Sequence, residues 1–516
     1  MQTVFINKMG MRLSGLFILL ASFLFSFPEH LYILYTNDIE GALLPSAAWW
    51  MNPYFPPPVG NAPAAATFIK EKRAEAESLG YGFLLLDTGD AFMGSPIGEF
   101  SKGKAVADYF NYCGYNLLSP GNHDYDLGVD VFKDFVNSVN AQYICSNIVY
   151  EDSKKNVDYL KPYTILDFDG LKIGVFGLLT EYMEGMTTPA RFANHDVLSE
   201  IETAKRYIDT LKSKGVDLIF AMTGIGLRHD KRLAEAVAGI DVIFGSHSAT
   251  ALEEPYEDSI NHTIICQAYG HLSSIGFLDL KIDRKTKKIA NYNGMLVDLL
   301  SDEFEDDTAM VGLIQRWDAI TKKGFDEVIG YSKEELIRTG FEESAIGNLI
   351  TDAMREYFGT DIAIHNSGGI RANLPKGEIT YKDCYYIDAL SNTAVLMKMS
   401  GEQIKKVLEV GVNGHHAIFQ VSGLKFKYDS RRPINERVIE IMQTNGQPFD
   451  FSREYLLVTN SFLAAGGGDY AIFKEGREIT ETFTYLRHII AEYIKRHSPI
   501  EGRIEGRIVD IARFKK

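Results

Sequence analysis

From Leu31 to about Asp298 the chain alternates short apolar runs with longer amphipathic stretches. The runs LYILYT, YGFLLLDTGD, QYICSNIV, LKIGVFGLLT, VDLIFAMTG, IDVIFGS, TIICQAYG and IGFLDLKID predict strands. AAATFIKEKRAEAESLG and EIETAKRYIDTLKSKG predict helices between them. Continuously apolar strands separated by helices imply an α/β sheet covered on both faces. Polar and glycine residues gather just past the strands, where such sheets place their ligand sites. Residues 301–332 are rich in charge and read as a helical connector. A second unit begins near Lys333, with a helix at SAIGNLITDAMREYFG, a glycine-rich turn at HNSGGIRANLP and a late strand at YLLVTNSF. At 516 residues, more than one core is expected.

Composition narrows the function. The formal charge of −16 argues against a partner that is a nucleic-acid polymer or an anionic membrane. Lys8 and Arg12 precede the apolar stretch LSGLFILLASFLFSF, so residues 1–29 read as a secretory signal. The alternative is an uncleaved anchor, because the small-residue cleavage pattern is poor. No second stretch long enough to span a bilayer follows. The expectation is an exported protein, periplasmic or secreted, with no stable membrane anchor once the signal is cleaved. Cys113, Cys145, Cys266 and Cys384 form no CxxC, and their default state is the buried thiol.

The candidate chemistry lies at the strand ends. NDIEG places Asp38 and Glu40 one residue apart, on the same side of extended chain. DTGDAFMGSP follows with Asp87 and Asp90, SPGNHDYDLG with Asn122, His123 and Asp124, and GSHSAT with His247. Carboxylates, an amide oxygen and an imidazole suit divalent ions such as Mn²⁺, Zn²⁺ or Fe²⁺. A dication between adjacent carboxylates relieves their repulsion. The metal-free reading is a pair sharing one proton, or a general acid and base.

In these motifs the chain resembles the 5'-nucleotidase family of exported metallophosphoesterases, from Leu31 to about Ile511. The family's patterns are TND-x-H, GD…GSP, GNHEFDYG, GGHSHT, NSGGIR and FLAAGGDGY. The resemblance implies an α/β protein: a four-layer metallophosphatase β-sandwich flanked by helices (30–300), a helical linker (301–332) and a separate C-terminal substrate-binding domain (333–516). It implies two divalent ions, of Mn, Zn, Mg or Fe type. Asp38 and Glu40 would sit at the first, Asn122 and His247 at the second, with Asp90 bridging. His123, oriented by Asp124, would stabilise the phosphate as a metal-bound water attacks.

Three positions depart from the family. Glu40 replaces a histidine ligand, Gly224 in AMTGIGLRHD replaces another, and Ala249 replaces the last ligand of the fourth motif. In the second unit the resemblance assigns substrate binding to Asn366, Gly368, Arg371, Phe419, Phe462 and Asp469. GGGDY in place of the family's GGDGY puts Asp469 one residue late. The expected function is hydrolysis of a phosphate ester, foremost a 5'-nucleotide or related nucleotide. The runner-up is a catalytically degenerate relative that captures a nucleotide-like ligand without turnover.

Overall fold

The computed structural model describes residues 27–48, 55–183, 191–248, 250–388, 392–415, 417–444, 446–466 and 470–514. Residues 1–26 of the expected signal, Ala249 and Asp469 lie outside them. Contacts divide the chain into two units, Met1–Glu181 with Phe192–Trp317, and Tyr182–Arg191 with Asp318–Lys516.

In the first unit, β1 (His30–Thr36), β2 (Gly82–Asp87), β3 (Leu117–Leu118) and β4 (Gln142–Tyr143) run parallel in one sheet. Helix α1 (Asn61–Leu79) packs against β1 and β2. A second sheet is built from β5 (Tyr163–Phe168), β6 (Leu171–Leu179), β7 (Leu218–Gly224), β8 (Val242–Gly245) and β9 (Ile264–Cys266). Strands β6 to β9 are parallel, and β5 lies antiparallel on β6. The hairpin β10 (Ser274–Ile282) and β11 (Ile289–Asp298) then returns to the first sheet, antiparallel to β1.

Period-2 alternation in these buried strands serves two interfaces at once. Leu31, Ile33, Tyr35, Leu84 and Leu86 meet Ile173, Val175, Leu218, Phe220, Met222 and Phe244 between the sheets. The intervening Ile219, Ala221 and Ile243 face Tyr207, Ile208 and Leu211 of α2 (Glu200–Ser213) and Leu233 of α3 (Leu227–Ala236). The result is a four-layer α/β sandwich. Each fully buried side chain contributes about 1.5–3 kcal/mol to holding it.

Two local expectations change. QYICSNIV forms two short pieces, Gln142–Tyr143 and Ile148–Tyr150. The chain breaks because Asn147 turns inward, donating from Nδ2 to the Leu179 carbonyl (2.6 Å) and accepting from the Leu179 N–H (2.9 Å). Gly177 permits that crossing, since a Cβ there would lie 2.3 Å from the Ile144 carbonyl oxygen. Within 301–332, the helix is Thr308–Phe325, and Val328–Ser332 is a strand paired with Gly377–Thr380. All four cysteines are buried free thiols.

The second unit carries α4 (Ala345–Phe358), capped by Ser344 Oγ accepting from the Gly347 N–H at 3.0 Å. Its sheet comprises β12 (Ile362–Asn366), β13 (Thr393–Ser400), β14 (Phe419–Ser422), β15 (Glu454–Asn460) and β16 (Arg477–Tyr485), in the order β14-β12-β15-β13-β16. Only the β12–β15 pairing in this sheet is parallel. Helix α5 (Gly401–Gly411) packs on the same core through Ile404, Val407 and Leu408.

His365, on β12, is buried, and that burial pulls its pKa down to about 4, against a smaller upward pull from the Asn366 carbonyl. The unfolded chain therefore binds a proton between pH 6.5 and 4 that the folded chain refuses, so stability is lost as pH falls through that window. The expected loss is about 3 kcal/mol. It should appear as lower hydrogen-exchange protection factors, corrected for the intrinsic pH dependence of exchange, along β12 and β15 at pH 4.5 than at pH 7.5, and His365→Gln should flatten the difference. An equal slope in that variant would exclude His365 as the cause.

Candidate active site

The carboxyl ends of β1, β2, β7 and β8 deliver the candidate residues in loops of unusual backbone conformation. Asp38, Glu40, Asp90 and His247 have φ of 48°, 50°, 54° and 76°. For residues with a Cβ this left-handed region costs energy, and it concentrates at functional sites when the surroundings over-determine it. Here the surroundings do. The Asp38 N–H donates to the Gly89 carbonyl (2.9 Å), and the Glu40 N–H to the Asp90 carbonyl (2.9 Å), so the loops after β1 and β2 are laced together.

The loop after β3 closes on them. A Cβ on Gly121 would lie 2.1 Å from Asp90 Oδ1 and 2.3 Å from its backbone nitrogen, so only glycine fits. Gly121→Ala should destabilise the first unit by about 3 kcal/mol or more, read as a lowered melting temperature. A melt within a degree of the wild type would show that the loops separate freely.

Asp90 Oδ1 accepts the His123 N–H (2.8 Å), and Asp38 Oδ1 accepts the His247 N–H (2.8 Å). Asn122 Oδ1 lies 2.7 Å from His247 Nδ1, while the buried Asn122 Nδ2 has no hydrogen-bond partner. Burial, followed by the Asp90 charge, drives the Asp38 carboxyl well above the usual range. Burial pushes Asp90 up to about 7, partly opposed by His123. His247 is pulled down to about 4 by burial, with His123 and His229 adding to the shift. Among the described residues, no group of three or more His, Cys, Asp or Glu side chains that could hold an ion is present. The chemistry of the set still fits a divalent cation: crowded buried carboxylates, an amide oxygen and a neutral imidazole.

One expected role is corrected. Asp124 accepts the Ala91 N–H (2.9 Å) on Oδ1 and the Gly121 N–H (2.8 Å) on Oδ2, and so ties loops together. The partner of His123 is Asp126, whose Oδ2 lies 2.8 Å from Nδ1. His123–Tyr125 forms a 3₁₀ turn, and at three residues per turn positions i and i+3 eclipse. That spacing, present in NHDYD, was the available signal. The Asp126 and Asp90 carboxylates hold the His123 pKa well above 6.5 despite burial, which acts first and in the opposite direction.

Sequence reasoning also passed over His271, whose Nε2 lies 2.9 Å from Glu40 Oε2. No periodicity or spacing marks it. Gly224 ends β7 facing the same loop: a Cβ there would lie 3.1 Å from the Pro120 carbonyl oxygen and 3.6 Å from Gly121 Cα. His229 Nδ1 meets Glu200 Oε2 at 3.2 Å, on the first turn of α3.

In the second unit, the parallel neighbours β12 and β15 end at Asn366 and Asn460, whose side chains are joined by a 2.7 Å hydrogen bond from Asn460 Nδ2 to Asn366 Oδ1. Arg371 Nη1 donates to the Gly368 carbonyl (3.2 Å). Phe462, two residues past Asn460, is 45% exposed and meets Tyr470 edge-on at 6.3 Å. Asn366, Gly368, Arg371 and Phe462 therefore share one end of the sheet. Phe419 does not join them. It is 1% exposed and packs on Tyr470 (5.2 Å) and Phe473 (5.8 Å) in the core, so its ring offers no face to a base.

Residues 328–475 match the model of the 5'-nucleotidase C-terminal domain. The trifunctional nucleotide phosphoesterase YfkN of Bacillus subtilis is 28% identical over 87% of the chain, which spans 34% of that longer protein. A 5'-nucleotidase of Diplobatis ommata is 28% identical over 93% of the chain and 90% of its own length. The crystal structure of a 5'-nucleotidase precursor from Thermus thermophilus superposes with a TM-score of 0.60 at 26% identity, covering 93% of this chain and 99% of that one. Over most of its length the chain is similar to 5'-nucleotidases, and residues 328–475 match their C-terminal domain.

Proposed function

We propose that the protein is a metal-dependent hydrolase of phosphate esters, acting foremost on 5'-nucleotides or related nucleotides. The observation that carries this reading is the burial of Asp38 and Asp90, 2% and 1% exposed, where burial and neighbouring carboxylates push both pKa values up, beside the His123–Asp126 pair. Such crowding is costly unless positive charge enters the cluster. Asp38, Glu40, Asp90, Asn122 and His247 would hold two divalent cations. When bound, these supply Lewis-acid polarisation of a phosphoryl oxygen and a more acidic water. His123, with Nδ1 engaged by Asp126, presents Nε2 to charge developing on the phosphate. In the second unit, Arg371 offers a planar fork for phosphate or another anionic group, Asn366 a polar contact and Phe462 a flat face for a base.

We also infer export, on the basic and apolar character of residues 1–29. N-terminal sequencing of the mature protein would check cleavage near residue 29.

The hydrolase reading is tested by elemental analysis of Mn²⁺-reconstituted protein together with phosphate release from AMP, other 5'-nucleotides and p-nitrophenyl phosphate. Bound metal with turnover supports it. Bound nucleotide without turnover of any ester overturns it in favour of ligand capture.

A further inference from the structure

Glu40 is a candidate cation ligand with a long side chain, 24% exposed at the edge of the acidic cluster. A carboxylate of this kind must be fixed before it serves a cation well, and outer hydrogen bonds usually do the fixing. His271 stands where that contact is needed. It lies in the loop between β9 and β10, far from Glu40 in sequence, and its Nε2 reaches Glu40 Oε2 at 2.9 Å.

The backbone of His271 is clamped on both sides. Its N–H donates to the Asp38 carbonyl at 2.7 Å. Its own carbonyl accepts from Asn61 Nδ2 at 2.8 Å, and Asn61 is fully buried at the start of α1. His271 also has φ of 59°, the left-handed conformation of Asp38, Glu40, Asp90 and His247, and the next residue, Leu272, has φ of 49°. Other non-glycine residues with this conformation, such as Lys154, Asp169 and Lys287, sit in tight polar turns. His271 differs from them in being tied to two residues of the cluster, to Asp38 through its backbone and to Glu40 through its ring. A half-exposed imidazole held this firmly against a carboxylate is built to orient it.

We propose that His271 is a positioning residue for the cation site, donating from Nε2 to Glu40 Oε2 and so holding the Glu40 carboxylate toward the site beside Asp38. The proposal rests on the metal-dependent reading above. His271 touches neither substrate nor reacting atoms in this role, and its effect passes through Glu40.

The test is Mn²⁺ binding to metal-stripped full-length protein by calorimetry, for the wild type, His271→Ala and His271→Gln. Loss of the Nε2 donor should weaken one Mn²⁺ site about 10- to 100-fold. His271→Gln, which carries an amide donor to a similar position, should recover most of that loss, and the metal-free proteins should melt alike. Should the alanine variant fail to fold, His271→Gln against His271→Met, matched in length, gives the same contrast. An alanine variant within threefold of wild-type affinity, or a glutamine variant as weak as the alanine one, overturns the proposal. Absence of Mn²⁺ binding by the wild type itself would overturn the metal-dependent reading and this inference with it, a result distinct from the variant-specific failure.

Discussion

Asp90→Asn is expected to lower phosphate-ester turnover about a thousandfold, the upper range for loss of one preorganised electrostatic group, and to reduce bound Mn²⁺. Asp90 occupies the centre of the site. Its Oδ1 accepts the His123 N–H, its carbonyl accepts the Glu40 N–H, and its carboxylate raises the Asp38 pKa. Asparagine keeps a carbonyl oxygen for the His123 N–H and leaves the backbone contacts in place, so the loops should remain assembled. It removes one of the buried like charges, so the metal-free variant should melt no lower than the wild type at pH 8. Activity lost without stability lost is the signature of a functional charge. Equal loss of both would mean that Asp90 is a structural residue, and preserved activity would remove it from the site.

Asp126→Asn and Asp124→Asn are expected to fail in different ways, although the two carboxylates are two residues apart. Asp126 holds His123 Nδ1, so its replacement should lower kcat about a hundredfold through loss of the imidazole's orientation and of the charge that supports its protonated form. His123→Ala should lower kcat by a similar or larger factor, about 10²–10⁴, with Mn²⁺ still bound. Asp124, fully buried, accepts two backbone N–H groups, and burial pushes its pKa up to about 6 despite them. An amide there turns one acceptor into a donor facing a donor, which should cost about 2 kcal/mol of stability. Steady-state kinetics and thermal melts on both variants separate the roles. A kinetic defect in Asp124→Asn as deep as that of Asp126→Asn, with an unchanged melt, would reverse the assignment.

The sandwich and its strand ends were legible because the buried strands are continuous apolar runs that end in polar loops, as Leu31–Thr36 followed by Asp38 shows. Edge elements were not. TILDF on β5 is half-buried and carries no continuous apolar run, so its pairing with β6 depends on a neighbour that sequence periodicity does not reveal. The choice of Asp124 over Asp126 came from assuming adjacency where a 3₁₀ turn selects i+3. His271 was invisible because its placement is tertiary, set by clamps from Asp38 and Asn61. Phe419 was assigned to substrate by resemblance alone, and an aromatic at a strand start suits a core equally well. The close approach of Gly411, where a Cβ would lie 2.4 Å from the Phe419 ring, decides for the core.

The central claim is that divalent cations neutralise the acids gathered at the carboxyl ends of β1 and β2. Anomalous diffraction from crystals soaked in Mn²⁺ tests it most directly. The account predicts two peaks about 3.5–4 Å apart, flanked by Asp38, Glu40, Asp90, Asn122 and His247. A well-ordered map with no anomalous density among those side chains would contradict it.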